Sequence, residues 1–223
     1  MADTLFRLRI NYQKRGQLRF LSHLETIRAL ERIIRRAGLP FAVSQGFNVH
    51  MRFAPGPALP VGTEGWDEYF DVLLTEYVKP QEVLASLRSV TVEDIPLCAV
   101  SYVDPKVKGL QATHVYETYR VALRPKDLSA DGIAACLREL IETGELRVPR
   151  KNKEKTYDLT RAFEGCDPLR VKGDADLVVV EMTMKSTEQG SLRPDDLILA
   201  GLGKEWKQSI ISLARIRLSE EDA

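Results

Sequence analysis

The spacing of apolar residues constrains the fold of this chain more than any other feature, because it alternates between the repeats typical of strands and of helices. Residues 5–12, LFRLRINY, alternate an apolar face with a mixed one, which predicts a half-buried strand. Residues 22–38 then repeat apolar residues at helical spacing, between an S-x-x-E capping box at Ser22 and Glu25 and a Gly-Leu-Pro stop. The first half continues with predicted strands at 41–43 and 69–75, a helix at 80–89 and an extended segment at 90–102.

The same order of elements returns in the second half. It has a predicted strand at 116–123, a helix at 130–143, an extended, hairpin-like region at 145–159, a strand at 177–184, a helix at 193–201 and a closing strand at 210–218. We therefore predict an α+β fold of two tandem ferredoxin-like units, β-α-β-β-α-β twice, with antiparallel sheets and helices on one face. The units comprise residues 1–104 and 105–223. One mixed α+β domain with a longer sheet is the alternative.

A formal net charge of zero conceals two oppositely charged segments. Residues 1–52 carry ten Lys/Arg and three Asp/Glu, whereas residues 63–104 carry two Lys/Arg and nine Asp/Glu. The neutral total therefore does not exclude an anionic partner.

Several classes of protein are disfavoured by what the sequence lacks. No apolar run reaches the roughly 20 residues that span a bilayer, and the first ten residues, MADTLFRLRI, lack a signal-peptide core, so we expect a cytoplasmic protein with no membrane partner. The spacing of Cys98, Cys136 and Cys166 fits neither a disulfide framework nor a structural zinc site. No phosphate-loop, dinucleotide or zinc-protease motif is present, and we expect neither a cofactor nor a metal.

The predicted helix at 22–38 has one cationic face. Arginines occupy a sector of about 100°, opposite an apolar stripe that contains Ile27, Leu30 and Ile34. Leu24 and Ala37 continue this stripe at helical spacing. These arginines are Arg28, Arg32, Arg35 and Arg36. A solvated helix face is one interpretation, and the other is binding of a polyanion such as nucleic acid, whose phosphates suit the guanidinium fork.

The segment that follows this helix, SQGFNVHMR at residues 44–52, combines groups that hydrogen-bond to bases or stack on them. The candidate nucleic-acid-binding residues are Gln45, Asn48, His50 and Arg52. The structural alternative is that the glycine and asparagine serve a turn, that Phe47 fills the core and that the histidine is internally satisfied.

A second basic segment lies at residues 147–161, RVPRKNKEKTYDLTR, with six Lys/Arg. Lys151, Lys153 and Lys155 are its candidate nucleic-acid contacts, and a solvated hairpin is the alternative.

Catalysis has few candidate residues. A metal-independent ribonuclease needs a general base and a general acid near one phosphate, and His23 and His50 are the candidates for these two roles.

Residues 20–72 resemble the signature of the radical-SAM-linked proteins, in the stretch FLSHLETIRALERIIRRAGLPFAVSQGFNVHMRFAPGPALPVGTEGWDEYFDV. KTYDLTRAF and SLRPDDLI in the second half are also similar. This bacterial family, of undetermined function, occurs alone or as a C-terminal extension of a cobalamin-binding radical SAM protein. The resemblance implies a link to a radical SAM protein, but the CxxxCxxC motif of those enzymes is absent, so no iron–sulfur cluster is expected here.

These observations favour a non-catalytic RNA-binding accessory protein, with tRNA or rRNA as its ligand, linked to a radical SAM modification system. One alternative is a protein-interaction adaptor, whose acidic segment docks a radical SAM or RNA-processing enzyme or a second copy of the chain as a homo-oligomer. Another is a metal-independent endoribonuclease, since paired ferredoxin-like units are also similar to the CRISPR repeat-processing endoribonucleases.

Overall fold

The computed structural model describes residues 5–150, 153–186 and 190–220. The chain divides into two compact units, Met1–His114 and Val115–Ala223. Each unit contains helices and a sheet whose strands all pair antiparallel. The predicted α+β class with antiparallel sheets is therefore confirmed.

In the described part of the first unit, four strands and three α-helices follow one another along the chain. They are β1 (Phe6–Lys14), α1 (His23–Arg36), β2 (Phe53–Pro55), β3 (Glu64–Leu74), α2 (Pro80–Val90), β4 (Leu97–Tyr102) and α3 (Leu110–Thr113). β1 lies between β4 and β3, and β2 also pairs with β3. In this register Leu8 of β1 opposes Val72 of β3 and Tyr102 of β4.

The core of this unit lies between its sheet and its two long helices. The alternation in β1 sends Leu8 and Ile10 into the core, where both are fully buried. Leu30 of α1 and Leu87 of α2 pack in the same cluster. The apolar stripe of α1 is shifted from the predicted one, because Leu24 in its first turn is 64% exposed.

The second unit repeats this arrangement around an inserted hairpin. Its elements are β5 (Tyr116–Leu123), α4 (Ala130–Glu142), β6 (Glu145–Arg150), β7 (Lys153–Asp158), α5 (Leu159–Ala162), β8 (Leu169–Gly173), β9 (Val178–Lys185), α6 (Pro194–Leu202) and β10 (Ile210–Ser219). The sheet order is β10-β5-β9-β8, and β6 pairs with β7 as a separate hairpin.

A buried charged network lies within the second unit. Arg215 of β10 is 0% exposed and its Nη1 lies 3.0 Å from Oε2 of Glu117 on β5, which is 1% exposed. Tyr119 donates a hydrogen bond to the same carboxylate oxygen, and Ser186 and Ser191 donate to Oε1. The carboxylate thus has a donor at both oxygens, as a buried charge requires.

Several features differ from the sequence prediction. Residues 41–43 form only isolated bridges, Phe41 to Leu74 and Val43 to Met51, and the short strand β2 follows instead. β8 was not predicted at all. The first compact unit ends at His114, whereas we expected it to end at residue 104. The reason is that α3 packs against β2 and β3 of this unit.

Candidate nucleic-acid interface

The helix α1 begins at a capping box. The Ser22 hydroxyl accepts a hydrogen bond from the Glu25 backbone N–H at 3.4 Å, and the Ser22 backbone N–H donates to the Glu25 carboxylate at 2.8 Å. The hydrogen bonds from the Ser22 side chain and backbone hold the pKa of Glu25 below its usual range. This box fixes where the helix starts and therefore which residues its outer face presents.

The outer face of α1 is cationic, as the sequence predicts. Arg28, Arg32, Arg35 and Arg36 are all exposed. Within the described part of the chain, the side chains of Arg28, Arg32 and Arg36 make no hydrogen bond or ion pair. Arg35 differs, since its guanidinium lies 4.9 Å from the centre of the Phe41 ring. Three arginines of this face therefore have their hydrogen-bonding capacity available to an anion.

Residues 44–52, hereafter the 44–52 loop, project from the end of the sheet near Phe41. The Ser44 backbone N–H donates to the His50 carbonyl at 2.8 Å, and the His50 backbone N–H donates to the Ser44 hydroxyl at 3.0 Å. Gly46 has a φ of 128°, a value that favours glycine. These contacts close the loop at its base and leave its tip in solvent.

The tip of the 44–52 loop is exposed and partly apolar. Phe47 is 108% exposed, and Val43 and Val49 are also among the exposed large hydrophobic residues. The alternative in which Phe47 fills the core is therefore wrong, and the asparagine beside it has no positive φ. A single exposed apolar side chain needs no explanation, but Phe47 and Val49 on the loop, with Val43 directly before it, indicate a contact surface.

The 44–52 loop also carries the four polar candidates. Gln45, Asn48, His50 and Arg52 are all exposed. Among the residues that the structure describes, the side chains of Gln45, His50 and Arg52 have no hydrogen-bond or ion-pair partner. An amide, an imidazole and a guanidinium on this loop can therefore bind a ligand without breaking a side-chain contact to a described residue.

The candidates in the second unit are more constrained. The Arg150 guanidinium of β6 pairs with Asp196 at 2.5 Å, and Lys155 Nζ of β7 lies 4.5 Å from the centre of the Tyr157 ring. Lys151 lies outside the described residues, as does the side chain of Lys153. The hairpin packs through Leu146, Val148 and Tyr157, so its described part is a structural element as well as a basic one.

The two histidine candidates for catalysis lie at different places. His23, the first residue of α1, lines a small recess together with Lys14, Glu68 and Gly56. His50 is exposed on the 44–52 loop. The recess that His23 lines does not include His50. Among the described residues, the structure therefore does not bring the two histidines together as an acid–base pair in that recess.

Part of the acidic segment at 63–104 is paired within the first unit. Asp71 accepts hydrogen bonds from the guanidinium groups of both Arg7 and Arg9, each at 2.9 Å from Nε. Glu64 pairs with Arg19 at 3.7 Å, and Asn11 donates to Asp67 at 2.8 Å. These three acids are therefore engaged in contacts within the first unit.

Other classes of site find little support. No group of three or more metal-ligating side chains occurs in the described ranges. Cys98, Cys136 and Cys166 are free thiols, and burial raises the pKa of Cys98 and of Cys166. None of the helices in the part of the chain that the structure covers is long and apolar enough to span a bilayer.

Comparisons with solved structures give distant similarities. A chain in the crystal structure of a Cbf5-Nop10-Gar1 complex is 14% identical, with a TM-score of 0.49, and the match covers 96% of this chain and 50% of that chain. This chain thus spans about half the length of that one. A crystal structure of an unknown protein from Galdieria sulphuraria is 9% identical, with a TM-score of 0.27 and 81% coverage of each chain.

Comparisons of sequence are more informative. No curated protein matches the chain. One family model matches residues 7–194, a range that contains α1, the 44–52 loop and the β6–β7 hairpin. The chain therefore belongs to the family described as "uncharacterized protein conserved in bacteria" (DUF2344).

Proposed function

We propose that this protein is a cytoplasmic RNA-binding accessory protein that binds single-stranded RNA through the 44–52 loop and the arginine face of α1. The observation that carries the proposal is the fully exposed Phe47 ring on a loop that also carries amide, imidazole and guanidinium groups, which have no side-chain partner among the described residues. Sequence-tolerant recognition of single strands uses this combination of aromatic and polar groups.

The two parts of the surface have complementary roles. The Phe47 ring stacks on an unpaired base, and Gln45, Asn48 and His50 hydrogen-bond to base edges or to ribose hydroxyls. Arg28, Arg32 and Arg36 contact the phosphates, because guanidinium groups donate paired hydrogen bonds to phosphate oxygens. Arg35 lies over Phe41 at the end of α1 and so connects the helix face to the base of the loop.

We infer that each unit is ferredoxin-like. If the strands of each unit are numbered in chain order, with the hairpin β6–β7 left out, both sheets have the order 4-1-3-2 with antiparallel neighbours. That order and the alternation of strands with helices support two tandem β-α-β-β-α-β units.

We further propose that the bound RNA is a tRNA or an rRNA and that the protein presents it to a radical SAM enzyme. The support is the likeness of residues 20–72 to the radical-SAM-linked signature, a stretch that contains both α1 and the 44–52 loop. We assign an accessory role rather than endoribonuclease activity, since the recess that His23 lines does not include His50.

The alternative is a protein-interaction adaptor, and one observation favours it. The apolar side chains of Phe47 and Val49 on the loop, with Val43 directly before it, can pack on a protein partner as well as on a base. Against an acidic docking surface stands the pairing of Asp71 with Arg7 and Arg9.

Replacing Phe47 with alanine tests the proposal. We expect the affinity for single-stranded RNA to fall about 5- to 150-fold, because stacking of one base on an aromatic ring contributes about 1–3 kcal/mol. The melting temperature should stay unchanged, since the ring makes no core contact. Fluorescence anisotropy with labelled single-stranded and duplex RNA measures both affinities.

Phe20→Ala is the matched control, because Phe20 is an exposed phenylalanine of the same unit, 53% exposed, outside the 44–52 loop. Equal loss of affinity in the two variants would argue against the loop as the binding site. No salt-dependent RNA binding by the wild type, together with salt-sensitive oligomers in light scattering, would favour the adaptor.

A further inference from the structure

An open cleft lies on the face of the first sheet opposite the core, at the base of the 44–52 loop. Its volume is about 720 Å³, within the range typical of small-molecule sites. Strands β1, β2 and β3 form its floor, and in their register Ala54 opposes Asp71, which in turn opposes Arg9. Arg52 and Ser44 bring the end of the 44–52 loop to the cleft.

Arg7 and Asp71 of this cleft are paired with each other, whereas Arg52 has no side-chain partner among the described residues. Arg7 donates to the Asp71 carboxylate at 2.6 Å and to the carbonyl of Val107 at 2.5 Å, so its guanidinium is held in place. Asp71, 3% exposed, also accepts from Arg9 and has little capacity left for another donor. One wall of the cleft is therefore held in place by the Arg7–Asp71 ion pair. The Arg52 guanidinium has no side-chain partner among the described residues, so the cleft suits an anion and not a cation.

The remaining walls are apolar. Leu5, Leu73 and Pro105 line the cleft beside the two arginines. A simple inorganic anion would leave this apolar surface and most of the volume unused. A ligand with an anionic group at one end and a flat, weakly polar body at the other would occupy both.

We propose that this cleft binds a nucleoside monophosphate group, with the phosphate on Arg52 and the base against the wall formed by Leu5, Leu73 and Pro105. A guanidinium forms paired hydrogen bonds with phosphate oxygens, and the Arg7–Asp71 pair holds the neighbouring wall rigid. Two sources can supply this chemistry, namely a free mononucleotide or the phosphorylated end of an RNA strand. The second source rests on the proposed function, whereas the first does not.

Titration calorimetry with the four nucleoside monophosphates, the four nucleosides and inorganic phosphate tests the cleft. We expect saturable binding of a monophosphate, at least about 10-fold tighter than its nucleoside and than inorganic phosphate. Arg52→Gln should weaken this binding about 10- to 100-fold, and Arg52→Lys, which keeps the charge but loses the fork, should weaken it less. Arg138→Gln, at an exposed position of α4 far from the cleft in sequence, is the charge-matched control and should have no effect.

Two results would overturn the proposal. One is the absence of saturable binding by all four monophosphates at millimolar concentration. The other is an equal effect of Arg52→Gln and Arg138→Gln in proteins of unchanged melting temperature. Inorganic phosphate that binds as tightly as the monophosphates would overturn the assignment of a nucleoside to the apolar wall.

A pair of oligoribonucleotides identifies the source and separates this proposal from the proposed function. If the ligand is an RNA end, a 5′-phosphorylated strand binds more tightly than a strand of the same sequence with a 5′-hydroxyl group, and Arg52→Gln abolishes that difference. If it is a free nucleotide, monophosphates bind and the two strands are equivalent. Phe47→Ala should weaken both strands alike and leave monophosphate binding unchanged. Failure of RNA binding with intact monophosphate binding would therefore contradict only the proposed function.

Discussion

Replacing Arg28, Arg32 and Arg36 together with glutamate is expected to weaken RNA binding by about 100-fold or more at moderate salt. The change removes three cations that make no side-chain hydrogen bond or ion pair among the described residues and puts three anions in their place, so both attraction and orientation are lost. Arg35 is kept because its guanidinium lies over Phe41 and supports the base of the 44–52 loop.

The salt dependence gives a second readout of the same triple variant. Each phosphate contact to a single strand contributes about 0.7 to the slope of log affinity against log salt, so loss of three contacts should lower the slope by about 2. Anisotropy titrations at several salt concentrations measure it.

A matched control reverses three exposed cations of the second unit, Arg124, Arg138 and Lys172. These residues have no place in the proposed interface. If this control loses as much affinity and slope as the α1 variant, RNA binding depends on total charge and not on the arginine face.

Replacing Glu117 with alanine is expected to lower the free energy of unfolding by about 3–5 kcal/mol. The reason is that Arg215, 0% exposed, would be left as a buried charge without its carboxylate, and the hydroxyls of Tyr119, Ser186 and Ser191 would lose their acceptor. Urea unfolding measures the change. Glu145→Ala, which removes the carboxylate of the exposed Arg147–Glu145 pair, is the control and should cost about 0–1 kcal/mol. Equal costs for the two variants would show that the buried network adds no stability.

The same network makes stability depend on pH. Burial by itself would raise the pKa of Glu117, but the Arg215 charge and the hydrogen bonds from Tyr119, Ser191 and Ser186 outweigh it and hold the pKa below the usual value of 4.5. Because the pKa is lower in the folded protein, the stabilisation is fully present above about pH 4.5 and is lost as the pH falls through the folded value. Glu117→Ala should therefore lose less stability than the wild type between about pH 4.5 and pH 2.

The elements with local signals were predictable from the sequence. Capping at Ser22 and the apolar period place α1 within two residues of its observed bounds, since both signals act within one or two helical turns. The bounds of β5 were also predicted, from an alternation that one buried face imposes. The strands β2 and β8 were missed because each is short and depends on pairing with a distant strand.

The candidate site was only partly predictable. The sequence predicted the arginine face of α1, because helical spacing alone determines which residues share a face. It could not decide whether Phe47 is buried or exposed, since a phenylalanine is compatible with both a core and a contact surface. The sequence also could not predict that the Asp71 carboxylate forms ion pairs with Arg7 and Arg9, because these pairs depend on the register of β1 on β3.

Photocrosslinking most directly tests the central claim that the 44–52 loop contacts RNA. The wild-type protein is irradiated with single-stranded RNA that contains 4-thiouridine, and the crosslinked peptides are identified by mass spectrometry. We expect crosslinks within the 44–52 loop, above all at Phe47, that unlabelled single-stranded RNA suppresses. Crosslinks confined to other segments, or none at concentrations where binding is saturated, would contradict the account.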